Sequence, residues 1–291
     1  MRAIEYYAPS SLKETTALLA EKGQSARLFA GGTDMIPQLN AGVWEVDHVV
    51  DVKQIPETNV LAYTPDKGLV LGSSVPCHII YNNQAVLRNY SGLIDSVSMI
   101  GGIQIQGRAT LGGNMCNGAP SADGIPPLIV MNAVCVIAGP SGTRRVPADQ
   151  FCTGPRKTVL ESGEILVHFE IPAPKPNSGA HYLRFIPRNE MDIAIAGVGA
   201  GVELDSTNGK IVSAKIALAS VAPTPLLVKE AGESLVGGEV SPEAIENAAL
   251  LAKEASRPIN DMRGTVKQRK HLVYVLTKRA LNGAINRAKG E

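Results

Sequence analysis

Residues 30–34 read Ala30-Gly31-Gly32-Thr33-Asp34, and a later stretch, Thr110-Leu111-Gly112-Gly113-Asn114, repeats the same chemistry. Each pairs two adjacent glycines with a hydroxyl residue and a side chain that can bond to the backbone. The first follows an apolar run, residues 26–30, that is typical of a buried strand. Glycine permits a positive φ and lets a ligand approach the backbone N–H groups, which then form a concave anion site. Two such segments can hold the two phosphates of a dinucleotide, although either glycine pair alone is typical of a plain tight turn.

The composition is that of an ordinary soluble globular protein, with 44% hydrophobic and 19% charged residues. A chain of 291 residues favours about two domains. The formal net charge of +1 lacks the basic surplus of nucleic-acid or membrane-surface proteins. Because no apolar run reaches the roughly 18 residues of a membrane span and the start lacks a signal-peptide pattern, we expect a cytoplasmic chain without a membrane span.

The usual catalytic and metal-binding patterns are missing from the sequence. The four cysteines contain no CxxC pair, so we expect reduced thiols and no iron–sulfur or zinc centre in this chain. The five histidines have no ligand spacing, and no serine nucleophile elbow or P-loop lysine occurs. We therefore assign no catalytic residue and no metal ligand. The cysteines are Cys77, Cys116, Cys135 and Cys152.

The first fifty residues predict a β-α-β-like unit. Ser11 and Glu14 form a capping box before a helix that ends near Gly23. Asp34 is placed to cap a short helix in which Pro37 lies in the first turn. Strands are predicted before, between and after these helices, at residues 4–8, 26–30 and 48–52.

The middle of the chain predicts short strands around a long irregular segment. Residues 76–100 are predicted to be mainly helical, and residues 101–123 to be irregular, as functional loops often are. A short buried helix is expected at residues 126–132. Further strands are expected at 69–72, 135–137, 144–146 and 164–171, with a hairpin turn at 139–142.

Three prolines within residues 172–176 mark the clearest domain boundary. Beyond it, strands at 180–185, 192–204 and 210–220 predict a three-stranded antiparallel sheet with an Asn208-Gly209 turn. Helices are expected at 226–235, after a Ser241-Pro242 cap, and at 266–289. The Gly197–Gly201 run lacks the spacing of a dinucleotide fingerprint and favours a closely packed strand.

Asp123 ends the irregular segment and has two interpretations. A carboxylate there can accept hydrogen bonds from ribose hydroxyls. It is equally well placed as the N-cap of the helix that begins near Pro126.

These segments resemble the FAD-binding subunit of molybdenum hydroxylases, a group that includes xanthine dehydrogenase and aerobic carbon monoxide dehydrogenase. The resemblance covers nearly the whole chain in order, and residues 116–119, 151–155 and 191–193 are most similar to the flavin subunit of bacterial heterotrimeric xanthine dehydrogenase. The segments that carry it are LFAGGTDM (28–35), TLGGN (110–114), Ser121-Ala122-Asp123, EILVHFEIP (164–172), Asp192-Ile193-Ala194 and Asp261-Met262-Arg263.

The resemblance implies an α+β fold: a two-part FAD-binding domain of the PCMH type over residues 1–173, then a carbon monoxide dehydrogenase flavoprotein-like C-terminal domain over 180–291. It also implies that the cofactor is FAD, with Asp123 at its ribose or adenine end. Arg184, where relatives often carry lysine, would lie near the pyrimidine edge of the flavin and stabilise its anionic reduced form. Gln268 replaces a tyrosine that is frequent in relatives. The implied cofactor-binding residues are Leu28, Phe29, Ala30, Gly31, Gly32, Thr33, Asp34, Met35, Ile100, Thr110, Leu111, Gly112, Gly113, Asn114, Asp123, Leu166 and Arg184.

The implied function is electron transfer within a larger oxidoreductase. The chain would take electrons from the 2Fe-2S clusters of a small partner subunit and pass them to NAD+ or another acceptor. The molybdopterin cofactor would lie in a large third subunit, in a dimer of heterotrimers that oxidises a purine. The alternatives are a carbon monoxide dehydrogenase-like or other heterocycle- or aldehyde-oxidising complex and, in a different class, a non-catalytic nucleotide-binding assembly protein.

Overall fold

The structure, a computed structural model, describes residues 3–188, 190–207 and 209–291. Asn208 of the predicted Asn208-Gly209 turn lies outside these residues. The described strands form sheets of three, five and four strands in chain order, with a separate two-stranded hairpin. None of the helices within these ranges is both long and apolar enough to cross a membrane.

The first part of the chain is the predicted β-α-β unit. Its strands are parallel and lie in the order β1-β3-β2. The Ser11 hydroxyl accepts the Glu14 N–H at 3.3 Å, and Gly23 ends the first helix with a φ of 55°. Asp34 occupies the N-cap position of the second helix, but its side chain makes no capping hydrogen bond. The elements are β1 (Glu5–Tyr7), α1 (Leu12–Lys22), β2 (Ala26–Phe29), α2 (Met35–Asn40) and β3 (His48–Asp51).

The second part is built on an antiparallel sheet in the order β4-β5-β10-β6-β7. Short helices cover it and bury a large apolar core. The elements are β4 (Leu61–Thr64), β5 (Gly68–Gly72), α3 (Cys77–Asn82), α4 (Gln84–Asn89), α5 (Ser91–Val97), α6 (Ile103–Gln106), α7 (Leu111–Cys116), α8 (Ile125–Val130), β6 (Val134–Gly139), β7 (Gly142–Pro147), β8 (Cys152–Gly154), β9 (Lys157–Thr158) and β10 (Ile165–Ile171).

The segment 101–123 is less irregular than predicted, because it contains α6 and α7. The second glycine pair lies inside α7 rather than in a loop. The Thr110 hydroxyl accepts the Gly113 N–H at 2.9 Å and caps this helix. Gly112 fits because a Cβ there would overlap the backbone of Ser73. Close packing against Ser73 therefore explains a glycine inside this helix, and the local sequence carries no signal for that packing.

The third part has a four-stranded antiparallel sheet, not the three strands predicted. The added strand, β14, pairs with β13 at residues 226–227, where a helix was expected. Pro225 precedes it, and the helix begins only at Lys229. β12 begins at Ala196 rather than at Asp192. The elements are β11 (Ser178–Phe185), β12 (Ala196–Leu204), β13 (Ile211–Ala219), β14 (Leu226–Leu227), α9 (Lys229–Glu233), α10 (Pro242–Ala255) and α11 (Val266–Lys289).

The third part packs directly on the second. Two glycines of β12 lie against α8: a Cβ on Gly199 would lie 3.0 Å from the carbonyl carbon of Pro126, and one on Gly201 3.2 Å from the Cβ of Val130. The prediction of a closely packed glycine-rich strand is therefore confirmed. At the other end of the contact, Arg287 of α11 binds both carboxylate oxygens of Asp95 at 2.6 and 2.9 Å. The two parts meet across a fixed junction, and the candidate site lies beside it.

Candidate functional site

The first glycine segment leaves β2 and turns into α2, so its N–H groups lie at the carboxyl edge of the parallel sheet. Gly32 has a φ of 74°, which favours glycine. Within the described residues, no protein acceptor receives a hydrogen bond from the backbone N–H groups of residues 31–35. Residues 31–33 are only half-buried. Successive free N–H groups in a turn form a concave site that can bind an anion.

The first glycine segment lies against the residues that lead into the second. A Cβ on Gly31 would overlap the carbonyl oxygen of Arg108 and would lie 3.2 Å from the Cα of Ala109. Only a residue without a side chain permits this approach. The strand-to-helix turn of the first part therefore lies directly against the residues that lead into Thr110.

Hydrogen bonds and core packing fix the second glycine segment in place. Its Gly113 N–H is used by the Thr110 cap, so it is not free for a ligand. The Asn114 side-chain oxygen accepts the Gly124 N–H at 3.0 Å and ties α7 to the segment that carries Asp123. Leu111 is fully buried in the large core. The segment fixes the shape of the site more than it supplies free donors.

Two predicted apolar contacts lie in the core. Ile100 is 8% exposed and Leu166 is 2% exposed, and both belong to the large core of the second part. The neighbours of Leu166 on β10, Ile165 and Val167, form the small cluster against which Leu28 and Ala30 pack. β10 thus supports the first glycine segment through those neighbours.

Asp123 and Arg184 lie in direct contact. Arg184 Nη1 donates to Asp123 Oδ2 at 2.5 Å, and their side chains are 7% and 9% exposed. The N-cap interpretation of Asp123 is wrong, since Gly124 occupies the cap position of α8 and no side chain caps it. The contact joins two side chains to which the resemblance gives different parts of FAD, the ribose or adenine end for Asp123 and the flavin edge for Arg184.

Burial raises the pKa of Asp123, while the Arg184 guanidinium and the Tyr182 hydroxyl oppose that rise. The carboxylate is surrounded by donors on both oxygens, because Tyr182 Oη also donates to Oδ1 at 2.7 Å. We hold it to be ionised as the partner of Arg184, since an unpaired buried guanidinium would be costly.

Sequence reasoning missed Lys53 and Tyr182. Lys53 Nζ donates to the Ala30 carbonyl at 3.0 Å and to both Asp51 oxygens at 2.7 Å, and it lies 4.2 Å from the centre of the Phe29 ring. Its position just after β3 was a usable signal, because the carboxyl ends of neighbouring parallel strands share an edge. The role of Tyr182 depends on a partner 59 residues away, for which the sequence has no local signal.

The cysteines are all free thiols. Cys77 and Cys135 are buried, Cys152 is half-buried and Cys116 is exposed. Burial raises the pKa of the Cys77 thiol to about 12, so it is uncharged at neutral pH. Two of the four therefore behave as the small buried hydrophobes that the sequence predicted.

The site suits a dinucleotide cofactor. A nest of free N–H groups at residues 31–35 lies beside a second backbone segment at a distance that only glycine allows. The buried cation Arg184 pairs with Asp123, whose segment is tied to the second glycine segment through Asn114. Phosphates match the first feature, and an electron-rich ring edge matches the last.

Comparison with known proteins agrees with this chemistry. A family model described as the FAD binding domain in molybdopterin dehydrogenase matches residues 2–174, and one described as the CO dehydrogenase flavoprotein C-terminal domain matches residues 181–284. The chain is 32% identical over 287 residues to the xanthine dehydrogenase FAD-binding subunit of Escherichia coli O157:H7, covering 98% of this chain and 97% of that one. It is 32% identical over 281 residues to the carbon monoxide dehydrogenase medium chain of Hydrogenophaga pseudoflava, covering 96% of each.

Solved structures are equally similar. A carbon monoxide dehydrogenase from Hydrogenophaga pseudoflava, in a form that lacks the Mo-pyranopterin moiety of its cofactor, superposes with a TM-score of 0.94 at 31% identity over 98% of both chains. Quinoline 2-oxidoreductase from Pseudomonas putida 86 superposes with a TM-score of 0.90 at 28% identity, covering 99% of this chain and 98% of the other.

Proposed function

This chain belongs to the family of FAD-binding medium subunits of molybdenum hydroxylases, and from that premise we propose that it is the electron-transfer subunit of a xanthine dehydrogenase-like complex. The observation that carries the proposal is the run of five free N–H groups at residues 31–35, set against the second glycine segment. The local similarity of residues 116–119, 151–155 and 191–193 to xanthine dehydrogenase flavin subunits supports the choice within the family.

We assign the FAD pyrophosphate to the first glycine segment. The N–H groups of residues 31–35 bind its oxygens, while Lys53 holds the Ala30 carbonyl and so orients the turn. Thr110 to Asn114 close the other side by packing, and Arg184 supplies the cation at the flavin edge. When bound, FAD supplies the ability to accept electrons from one-electron donors and to deliver a hydride to NAD+ or another acceptor.

The chain's own residues bind and tune the cofactor, and the substrate reaction belongs to partner subunits. We propose a small subunit with 2Fe-2S clusters as the electron donor and a large subunit with the molybdopterin cofactor, in a dimer of heterotrimers. The FAD-binding domain would span residues 1–173 and the C-terminal domain 180–291.

An exposed apolar surface beside the site supports a heteromeric assembly. Ile103, Met191 and Met262 are 72%, 54% and 94% exposed. A Cβ on Gly102 would lie 2.9 Å from the Met191 sulfur, and one on Gly264 3.3 Å from a methyl of Ile195, so three loops adjoin here. Clustered exposed apolar side chains are typical of protein interfaces. We propose this surface as the one that meets a partner subunit.

A carbon monoxide dehydrogenase-like complex is the second candidate. The 32% identity to that medium chain equals the identity to the xanthine dehydrogenase subunit, and a solved carbon monoxide dehydrogenase superposes with a TM-score of 0.94. Because the substrate pocket lies on another subunit in either case, only the local similarity of residues 116–119, 151–155 and 191–193 favours the xanthine dehydrogenase-like complex from this chain.

The test has two arms. The purified full chain should show the absorption of bound oxidised flavin at about 370 and 450 nm, and a folded chain without it would overturn the FAD role. The complex captured through a tag on this chain should then reduce NAD+ with xanthine. Oxidation of carbon monoxide without oxidation of xanthine would instead select the second candidate.

A further inference from the structure

Three buried side chains form a relay between the second and third parts of the chain. Asp123 precedes α8, whereas Tyr182 and Arg184 lie two residues apart on β11 and thus on the same face of that strand. Tyr182 Oη donates to one carboxylate oxygen at 2.7 Å and Arg184 Nη1 to the other at 2.5 Å. Tyr182 is fully buried, and the other two side chains are less than a tenth exposed.

The fold makes room for the tyrosine hydroxyl at a defined place. Gly197 of β12 pairs with Arg184 in the sheet register, and a Cβ there would lie 2.6 Å from Tyr182 Oη. A side chain at this position would displace the hydroxyl from Asp123. Burial also raises the pKa of the Tyr182 phenol well above its usual range, so the hydroxyl keeps the proton that it donates.

The relay leaves most of the guanidinium available. Arginine has five N–H donors in a planar fork, and within the described residues the only acceptor that Arg184 reaches is Asp123. Both Asp123 oxygens already accept from protein donors. The free hydrogen-bonding capacity of the cluster therefore lies on Arg184, while Asp123 and Tyr182 hold it in place.

We propose that Asp123 and Tyr182 are positioning residues that hold the Arg184 guanidinium against the flavin edge and moderate its charge, and so set the flavin reduction potential. The inference rests on the proposed function, which places Arg184 at that edge. It changes the role of Asp123 from a ribose ligand to an anchor for the cation. The position of Arg184 then depends on the packing between the second and third parts of the chain, because Asp123 belongs to the second part and Arg184 to the third.

The sign of each effect follows from charge. The negative charge of Asp123 offsets part of the positive potential of Arg184, and that positive potential favours the anionic reduced flavin. Asp123→Asn removes the offset, so the reduction potential should rise. Tyr182→Phe removes a donor that partly neutralises Asp123; because Arg184 still favours the ionised carboxylate, its negative charge then offsets Arg184 more strongly and the potential should fall. Two changes in one relay thus shift the potential in opposite directions.

The experiment measures the reduction potential of FAD in the full chain for the wild type and both variants, after flavin content and circular dichroism have been checked. Tyr90→Phe is the matched control, because Tyr90 is also buried and its hydroxyl also donates to protein acceptors, the Pro172 carbonyl at 3.1 Å and the Ile171 carbonyl at 3.4 Å. We expect Asp123→Asn to raise the equilibrium constant for reduction about tenfold, which is about 30 mV for a two-electron couple. Tyr182→Phe should lower it severalfold, and Tyr90→Phe should leave it unchanged.

Equal potentials in all four proteins, shifts of the same sign in the two relay variants, or an equal shift in the control would overturn the inference. If Tyr182→Phe does not fold, the comparison of Asp123→Asn with Tyr90→Phe still decides, since a rise in the first alone supports the relay. A wild-type chain that folds without flavin would overturn the proposed function itself. Normal flavin retention with unmoved potentials would overturn only the relay.

Discussion

Gly31 lies so close to Arg108 that a Cβ atom on the glycine would overlap the arginine's carbonyl oxygen and lie 2.7 Å from its carbonyl carbon. This backbone contact joins the β-α-β unit to the segment that leads into α7. It is also where the two sides of the proposed phosphate site meet. The spacing of the site therefore depends on the absence of one side chain.

Gly31→Ala should separate the two segments and weaken FAD binding. The obstacle is backbone on both sides, so relief requires a shift of the chain, and we expect FAD affinity to fall at least tenfold with a loss of about 1–3 kcal/mol in the free energy of unfolding. Flavin content after gel filtration and a fluorescence titration of the apoprotein would measure this.

Gly107→Ala is the control for that substitution. Gly107 lies one residue before Arg108, has a helical φ of −63° and has no atom near the position of a Cβ. It should keep both stability and FAD affinity. Equal FAD affinity in the Gly31→Ala protein would mean that the contact between the segments does not define the site.

Local signals predicted the first residues of some helices correctly. Ser11 and the Ser241-Pro242 pair begin helices as expected, because a capping hydrogen bond involves residues three apart in the sequence. The β-α-β unit and the hairpin between β6 and β7 were also predicted, because hydrophobic periodicity and turn residues are local in the sequence. The family resemblance then implied that the two glycine segments bind FAD.

Non-local packing accounts for what the sequence did not predict. Leu226 forms a strand because β13 offers it a partner, and Gly112 lies in a helix because Ser73 lies against it. The pairing of Asp123 with Arg184 joins residues 61 apart. A single sequence carries no pattern that pairs residues so far apart, so Asp123 and Arg184 were identified as candidates but their contact was not predicted.

Arg269→Met should destabilise the third part of the chain. Arg269 is 4% exposed; Nη1 donates to the Ile195 and Ser220 carbonyls at 2.6 and 2.9 Å, and Nη2 binds both Asp261 oxygens at 2.8 Å. The variant leaves two carbonyls and a carboxylate without the donors that Arg269 supplies, so we expect a loss of about 3–5 kcal/mol in unfolding free energy. Urea denaturation would measure it.

The exposed Arg279 on the same helix provides the comparison for Arg269. Arg279→Met removes the same charge from α11 and should change the unfolding free energy by less than about 0.5 kcal/mol. Similar losses in the two variants would show that the effect of Arg269 comes from helix charge rather than from its buried contacts.

Glu164 should make stability depend on pH in the acid range. Hydrogen bonds from Arg144, at 2.6 and 2.7 Å, lower the pKa of this carboxyl in the folded protein, and burial only partly opposes them. A lowered folded pKa gives stability that is complete above the unfolded value of about 4.3 and is lost as pH falls through the folded value. Since the Arg144 side chain is 38% exposed, we expect only about 1 kcal/mol.

Glu164→Gln should therefore be less stable than the wild type at pH 7, and the difference should shrink as the pH falls below 4. Glu161→Gln, three residues earlier at an exposed position, should behave like the wild type. Chemical denaturation at several pH values would measure both. A difference between Glu164→Gln and the wild type that stayed constant down to the lowest pH would show that the charge of Glu164 is not the cause.

Lys53→Met should weaken FAD binding by disordering the first glycine segment. The ammonium group joins the Ala30 carbonyl to the Asp51 carboxylate. Burial acts to raise the pKa of Asp51, but hydrogen bonds from Lys53 and Tyr6 outweigh it, so the net pKa is lowered. Methionine loses both contacts and also the approach of the ammonium group to the Phe29 ring, so we expect FAD affinity to fall about tenfold.

Lys67→Met removes an exposed lysine from the turn between β4 and β5 and should leave FAD affinity unchanged, which controls for net charge. Raising the salt concentration separates the two causes further. A screened surface charge loses its effect in high salt, whereas a lysine that fixes the turn keeps it. The affinity gap between wild type and Lys53→Met should therefore persist at 1 M salt, and its disappearance there would show that Lys53 acts by long-range attraction and not by holding Ala30.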